Sequence, residues 1–151
     1  MGEVGIREVA DGDLAVFFEH QRDPEATAMA AFPARDWDVF LAHWNKIRAD
    51  ESTLNRTVLV DGAVAGNMAS WPMDGERFVG YWIGREYWGR GVATAALGLF
   101  LDEEPVRPLY AHVALHNAGS IRVLEKCGFA RTPDAPVGGD DGVEEVTLVL
   151  K

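Results

Sequence analysis

The sequence has a single cysteine, Cys127, which excludes an internal disulfide framework and a cysteine-rich zinc site. Positive charge is also scarce: 14 Lys and Arg stand against 24 Asp and Glu, a formal net charge of -10. A chain this acidic lacks the basic face that general nucleic-acid binding needs. Its charge maintains solubility and draws in cationic small molecules, amines among them. Long apolar runs are missing, and none reaches the ~18 residues of a membrane span. The first residues, Met1 to Glu8, are acidic and carry no apolar stretch of the kind found in secretory leaders. A soluble, cytoplasmic protein without a membrane partner is therefore expected. The apolar fraction of 48% is too high for a disordered chain, and 151 residues suit one domain, spanning 1–151, better than two.

The order of elements follows from local pattern. Val4 to Val9 alternates weakly and predicts a first strand. Asp11 is expected to cap a helix through Leu14, Val16, Phe17 and Phe18. Pro24 and Pro33 bracket a stretch read as irregular, containing Met29, Ala30, Ala31 and Phe32. Asp36 caps a second helix in which Trp37, Phe40, Leu41, Trp44 and Ile47 fall at helical spacing. Strands are expected over Arg56 to Val60, Ala63 to Trp71 and Glu76 to Ile83, joined by Asp61-Gly62 and by a turn from Pro72 to Gly75. A helix from about Arg90 to Leu101, a strand from Leu109 to Leu115 and a helix from Asn117 to Lys126 follow, with Gly128 in the left-handed position that ends it. A glycine- and aspartate-rich turn, Gly138 to Gly142, precedes a last strand, Glu145 to Leu150. Short turns make the three middle strands antiparallel, and the later strands require crossovers. The fold class is an α/β, or α+β, mixed sheet with about four helices packed on it.

Two stretches carry chemistry. In Gly80-Tyr81-Trp82-Ile83-Gly84 and Trp88-Gly89-Arg90-Gly91-Val92-Ala93-Thr94, a strand ends, a Gly-x-Gly turn follows and a helix begins. Glycines let a backbone approach a ligand closely, and a helix N-terminus offers unpaired N–H groups and partial positive charge. Together they suit a pyrophosphate. This is not the dinucleotide fingerprint, because no third glycine follows and no early βαβ unit precedes. In the second stretch, from His116 to Phe129, Asn117 is placed to cap a helix, Ser120 lies in its first turn, and Ile121 and Leu124 point to the core.

The two stretches together, from about Glu76 to Arg131, resemble the GCN5-related N-acetyltransferase (GNAT) family, and within it the branch of the ribosomal-protein N-terminal acetyltransferases. The family's acyl-CoA loop, Gln/Arg-x-x-Gly-x-Gly/Ala, is matched from Trp88 to Ala93, with Trp88 departing at the first position. The branch's Asn-x-x-Ser motif and later Gly-Phe are matched by Asn117, Ser120, Gly128 and Phe129. The resemblance implies acetyl-CoA as cosubstrate, no metal, a primary amine of a small molecule or protein N-terminus as acceptor, and a homodimer. It implies a V-shaped gap between the strand at Gly80–Ile83 and that at Leu109–Leu115, with the pantetheine arm bonded to the backbone of Tyr81, Trp82 and Ile83. The pyrophosphate is then expected on the N–H groups of Gly89, Arg90, Gly91, Val92, Ala93 and Thr94, assisted by the Arg90 side chain. Asn117 bonds the pantetheine, and Arg122 and Lys126 reach toward the adenosine.

Direct acyl transfer needs a neutral amine, a polarised carbonyl and a partner for the departing thiolate. The resemblance implies a backbone N–H near Trp82 or Ile83 for the carbonyl. The tyrosine acid of many family members falls on Leu124 here, which leaves Ser120 as the thiolate's partner. The branch's strand glutamate falls on Phe78. Glu76, two residues up the same strand face, is the nearest substitute base. His112 and His116 are further candidates, since imidazole titrates in the useful range. Cys127 is read as a buried apolar residue rather than a nucleophile. Trp37, Phe40 and Trp44 are read as core, while Asp36, Asp74 and Glu19 are candidates to attract a cationic acceptor. Phe78 and Trp82 are expected to bound the space around the acyl group. A non-catalytic acyl-CoA sensor and a transferase for a bulkier acyl group are the competing functions.

Overall fold

A computed structural model describes residues 2–30, 34–133, 137–138 and 144–151. Strand β1 (Val4–Arg7) leads into helices α1 (Asp13–Arg22), α2 (Pro24–Ala30) and α3 (Trp37–Ala49). A meander of β2 (Leu54–Val60), β3 (Ala63–Met73) and β4 (Glu76–Ile83) follows. A 3₁₀ turn at Arg85–Tyr87 then enters α4 (Val92–Glu103). The chain ends with β5 (Leu109–Ala114), α5 (Ala118–Lys126), β6 (Ala130–Arg131), β7 (Val137–Gly138) and β8 (Glu144–Leu150). Both hairpins of the meander turn on two residues with positive φ, Asp61-Gly62 and Asp74-Gly75, as expected of such turns. Pro72 and Met73, expected in the second turn, instead pair with Arg77 and Glu76.

Two expectations near the N-terminus are corrected. Asp11 does not cap α1; Gly12 stands at the N-cap and makes no side-chain bond, while Asp11 is drawn off to Arg48 at 2.8 Å. The segment after Pro24 is helical rather than irregular. Asp23 Oδ1 accepts from the N–H groups of Glu25 (2.9 Å) and Ala26 (3.4 Å), and Pro24 fills the first helical position, where its missing N–H costs nothing. The structure thus has five α-helices among the described residues, against the four or so expected. Ala31 to Pro33 and most of the turn expected from Gly138 to Gly142 lie outside the described residues.

Eight strands form one sheet in the order β1-β2-β3-β4-β5-β8-β6, with β7 also on β8. All pairs are antiparallel except β4 and β5. That parallel pair is joined only at Arg77↔Leu109 and Phe78↔Tyr110. Beyond Phe78 the two strands diverge, while the opposite edge of β5 stays paired with β8 from Leu109 to Ala114. One face of the sheet packs Val79, Leu109 and Leu148 against Leu97 and Phe100 of α4 and Leu124 of α5. A smaller core joins Leu14 and Phe17 of α1 to Phe40 and Trp44 of α3. Among the described residues, no helix is long and apolar enough to cross a membrane.

A buried carboxylate ties α1 to the sheet. Asp13 accepts from Arg7 (2.7 and 2.9 Å), from the Ala10 N–H (2.9 Å) and from the Thr57 hydroxyl (2.6 Å), joining α1 to β1 and β2. Burial alone raises its pKa, but the Arg7, Ala10 and Thr57 hydrogen bonds outweigh burial and bring it to about 2. A carboxylate with a depressed folded pKa stabilises above its unfolded value and loses that contribution as pH falls through the folded one. Stability on the order of 2 kcal/mol is therefore lost between about pH 4 and pH 2. Urea midpoints measured across this window will fall in the native chain and fall less steeply in Asp13→Asn.

Candidate active site

The divergence of β4 from β5 opens a cleft of about 450 Å³. Three elements close it: α4 with its preceding turn, α5 along its length, and α2, which contributes Ala26 and Met29. The missed helix α2 is thus part of the site. The sequence signal for it was Asp23-Pro24-Glu25, a cap, a proline and an acidic first turn.

The glycine turn forms one end of the cleft. Gly89 and Gly91 have φ of 72° and 75°, a left-handed backbone that a Cβ disfavours. Gly91 is the N-cap of α4 and makes no side-chain cap bond, and the first turn carries no acidic side chain. The leading N–H groups, including those of Val92, Ala93 and Thr94, lie at the cleft without a carboxylate to neutralise them. Trp88, the departure from the loop pattern, donates its indole N–H to the Ile83 carbonyl at 2.9 Å and so fastens the turn to the end of β4. The Arg90 guanidinium lies over the Tyr87 ring at 5.5 Å and, unlike its neighbours in the turn, does not line the cleft. At α5, Arg122 and Lys126 both line the cleft and add positive charge.

The strand edge facing the gap is set by alternation. The Gly84 N–H donates to the Ala65 carbonyl at 2.8 Å, and Trp82 pairs with Asn67 with its carbonyl close against Gly66. Trp82 therefore directs its backbone groups to β3, and Tyr81 and Ile83 direct theirs to the gap. Of the three residues expected to offer backbone bonds, two direct them to the cleft, and Trp82 lines it without doing so.

Ser120 meets Tyr81 across the cleft. Asn117 caps α5 by accepting the Ser120 N–H on Oδ1 at 3.1 Å, which leaves its amide N–H groups for a ligand. The Ser120 hydroxyl lies 2.6 Å from the Tyr81 hydroxyl. Burial pushes the Tyr81 phenol up to about 12, the Ser120 bond offsetting only part of that. Sequence reasoning assigned Tyr81 a backbone role and missed its side chain. The period-2 pattern of β4 puts Tyr81 on the α5 face with Val79 and Ile83, and that was the available signal. Leu124, where the helix tyrosine was looked for, is buried in the core. Cys127 is half-buried, burial raises its thiol pKa, and its Sγ lies 3.6 Å from the Thr94 carbonyl.

The other candidate residues are not brought to the cleft. Glu76 sits exposed beside the Asp74-Gly75 turn, at the joined end of β4 and β5 rather than the open end. His112 is exposed, stacked on Phe78 with ring centroids 4.8 Å apart and 3.0 Å from the Thr147 hydroxyl through Nδ1. His116 bonds the Ala28 carbonyl of α2 through Nε2 at 2.9 Å. Phe78 is buried beneath His112. Phe40 and Trp44 are core, but Trp37, expected there too, is exposed at the start of α3 and packs edge-on against Phe18. Asp36 stands at the N-cap of α3 without a side-chain cap bond, Asp74 forms the hairpin turn, and Glu19 pairs with Arg22; none of the three lines the cleft.

Comparison with known proteins agrees with this architecture. A family model described as "Acetyltransferase (GNAT) domain" matches residues 3–130. A probable N-acetyltransferase, YjcK, of Bacillus subtilis is 31% identical over 91 residues, covering 58% of this chain and 47% of that protein. The match therefore spans less than half of that relative's length. The crystal structure of spermidine N-acetyltransferase from Vibrio cholerae in complex with CoA and spermine superposes with a TM-score of 0.82 at 17% identity, over 97% of this chain and 94% of that one. Mycobacterium smegmatis RimJ in complex with CoA-disulfide superposes with a TM-score of 0.80 at 21% identity, over 99% of this chain and 82% of that one. Since the family match runs without interruption from β1 to β6 and takes in both walls of the cleft, this chain belongs to the GNAT acetyltransferase family.

Proposed function

We propose that the chain is an acetyl-CoA-dependent N-acetyltransferase of the branch that holds the ribosomal-protein N-terminal acetyltransferases, and that its acceptor is a primary α-amine. One observation supports this most: a single cleft joins an uncapped helix N-terminus to a free strand edge and a serine hydroxyl. Those are the features a diphosphate, an amide-bearing arm and a thioester sulfur each require. Acetyl-CoA brings the activated acyl group. Backbone N–H groups of α4 hold the diphosphate, with Arg122 and Lys126 adding charge. The backbone of Tyr81 and the Ile83 N–H bond the arm as an added strand does, the Ile83 carbonyl being engaged by Trp88, and an N–H of this edge polarises the thioester carbonyl. Ser120 donates a hydrogen bond to the departing sulfur.

The choice of acceptor rests on pKa. Among the described residues, no carboxylate or imidazole lines the cleft, so those residues offer no such base there. An α-amine, with a pKa of about 7.7–8.0, is partly neutral near pH 7 without help, whereas a lysine-type amine near 10.4 is not. The name of one structural relative, spermidine N-acetyltransferase, supplies the amine to set against a peptide α-amine. Calorimetric titration with acetyl-CoA will give saturable binding, at least tenfold tighter than adenosine diphosphate. CoA release will be faster with a peptide α-amine than with spermidine at pH 7.5. Absence of acetyl-CoA binding overturns the reading, and binding without CoA release from either amine points to an acyl-CoA sensor.

A further inference from the structure

The cleft holds one polar contact that neither the glycine turn nor the capping of α5 accounts for. Tyr81, on β4, reaches across the gap to Ser120, on α5, so two hydroxyls meet at 2.6 Å inside the cleft. Such a pair has a direction. A serine that donates to the phenol leaves the phenol hydrogen only the Ser120 main-chain carbonyl, at 3.4 Å, and leaves serine no hydrogen for a ligand. A phenol that donates to Ser120 Oγ makes the short bond with the more acidic hydroxyl as donor. It also frees the serine hydrogen to point elsewhere.

Resting on the assignment of Ser120 as the sulfur's partner, we propose that Tyr81 is a positioning residue: its phenol donates to Ser120 Oγ and turns the serine hydrogen toward the sulfur of bound CoA. Hydrogen bonds in a chain polarise one another, so the serine becomes a better donor than it is alone. No proton leaves the pair. The acceptor nitrogen uses its lone pair to bond the acyl carbon, and the C–S bond breaks with its electron pair passing to sulfur. A thiol near 8.5 is more acidic than either hydroxyl, so both oxygens keep their hydrogens. The proton released by the acceptor amine goes to water. Because burial holds the Tyr81 phenol un-ionised to about 12, the pair persists throughout the working pH range.

The test reads the bound thiol itself. The CoA complex of the full chain is titrated with pH while thiolate absorbance is followed in the ultraviolet. The matching desulfo-CoA complex is subtracted to remove Tyr81, Tyr87 and Cys127, and Arg122 and Lys126 stay the same in every variant. Ser120→Ala is expected to lower the thiolate fraction at a fixed pH near 8 about tenfold, because a hydrogen bond to the charged form favours that form. Tyr81→Phe is expected to lower it about threefold, and the double variant no further than Ser120→Ala alone. In parallel, Tyr81→Phe lowers kcat and leaves the acetyl-CoA dissociation constant within about twofold. Tyr81→Met, of similar length and without a hydroxyl, replaces Tyr81→Phe should that variant not fold. A thiolate fraction unchanged in the Tyr81 variant but lowered in Ser120→Ala overturns the positioning role and leaves the serine assignment standing. A fraction unchanged in Ser120→Ala overturns both, as does failure of the native chain to bind CoA.

Discussion

Glu104→Ala will destabilise the fold by about 3–5 kcal/mol, the cost of breaking a buried charge pair from one side. Glu104 ends α4 and is 3% exposed. Its Oε1 accepts from the Ser70 hydroxyl at 2.5 Å and from Arg77 Nε at 2.8 Å, and its Oε2 accepts from the Val106 N–H at 3.2 Å. Burial works to raise its pKa, yet the Ser70 and Arg77 hydrogen bonds prevail and hold it below the usual carboxylate range. Arg77 also donates to the Ser52 carbonyl and to Ser70, so the carboxylate fixes a guanidinium spanning β3, β4 and the loop before β2. Removing it strands the Arg77 charge, whose side chain is 16% exposed. Urea unfolding will report the loss, and the melting temperature will fall by roughly 10 °C for a chain of this size. The double variant Glu104→Ala/Arg77→Ala will cost less than the sum of the two single changes, because no charge is then left unpaired. Equal costs in the sum and the double would mean that the two side chains act independently. The position matters for the site because Arg77 pairs with Leu109 where β4 and β5 are still joined. The network therefore holds the vertex from which the cleft opens.

Gly91→Asp will raise the acetyl-CoA dissociation constant about 100-fold, roughly 2.7 kcal/mol, with a much smaller effect on stability. Two effects act together. The backbone at Gly91 has φ of 75°, a left-handed conformation that costs a residue with a Cβ about 1 kcal/mol, least for Asn and Asp. The new carboxylate also stands at the positive end of α4, where the N–H groups otherwise meet an anion, and it repels a diphosphate. Gly91→Asn separates these terms, since it has the same shape and backbone preference without the charge. It is expected to weaken binding about tenfold, and adenosine diphosphate will follow the same order. If Asn and Asp weaken binding equally, backbone geometry alone governs the turn. If neither does, the diphosphate does not sit at α4.

Several features of this protein were determined by local sequence. Asp61-Gly62 fixed its hairpin because few residue pairs adopt two successive positive φ angles, and the strand expected over Glu76 to Ile83 has those bounds in the structure. The glycine turn, the Asn117 cap and the left-handed Gly128 each rest on a conformation that one or two residues dictate by themselves. These are short-range effects, and they placed β4 and, to within two residues, the ends of α4 and α5. Local signal was also present in Asp23-Pro24-Glu25, although a flanking proline drew that segment toward an irregular reading.

What the tertiary structure alone decided is which residues meet. Glu76 and Tyr81 stand on the same strand, five positions apart. Only one reaches the cleft, because β5 joins β4 at Arg77 and Phe78 and releases it beyond them. That register depends on pairing between residues some thirty positions apart, which leaves no periodic trace. His112 is set apart for the same reason: pairing of β5 with β8 places it beside Thr147. The meeting of Tyr81 with Ser120, 39 positions on, exists only once β4 and α5 pack on one face of the sheet. Backbone conformation is a property of neighbours in the chain and can be read from them, whereas an active site assembled across a splayed strand pair depends on where the pairing stops.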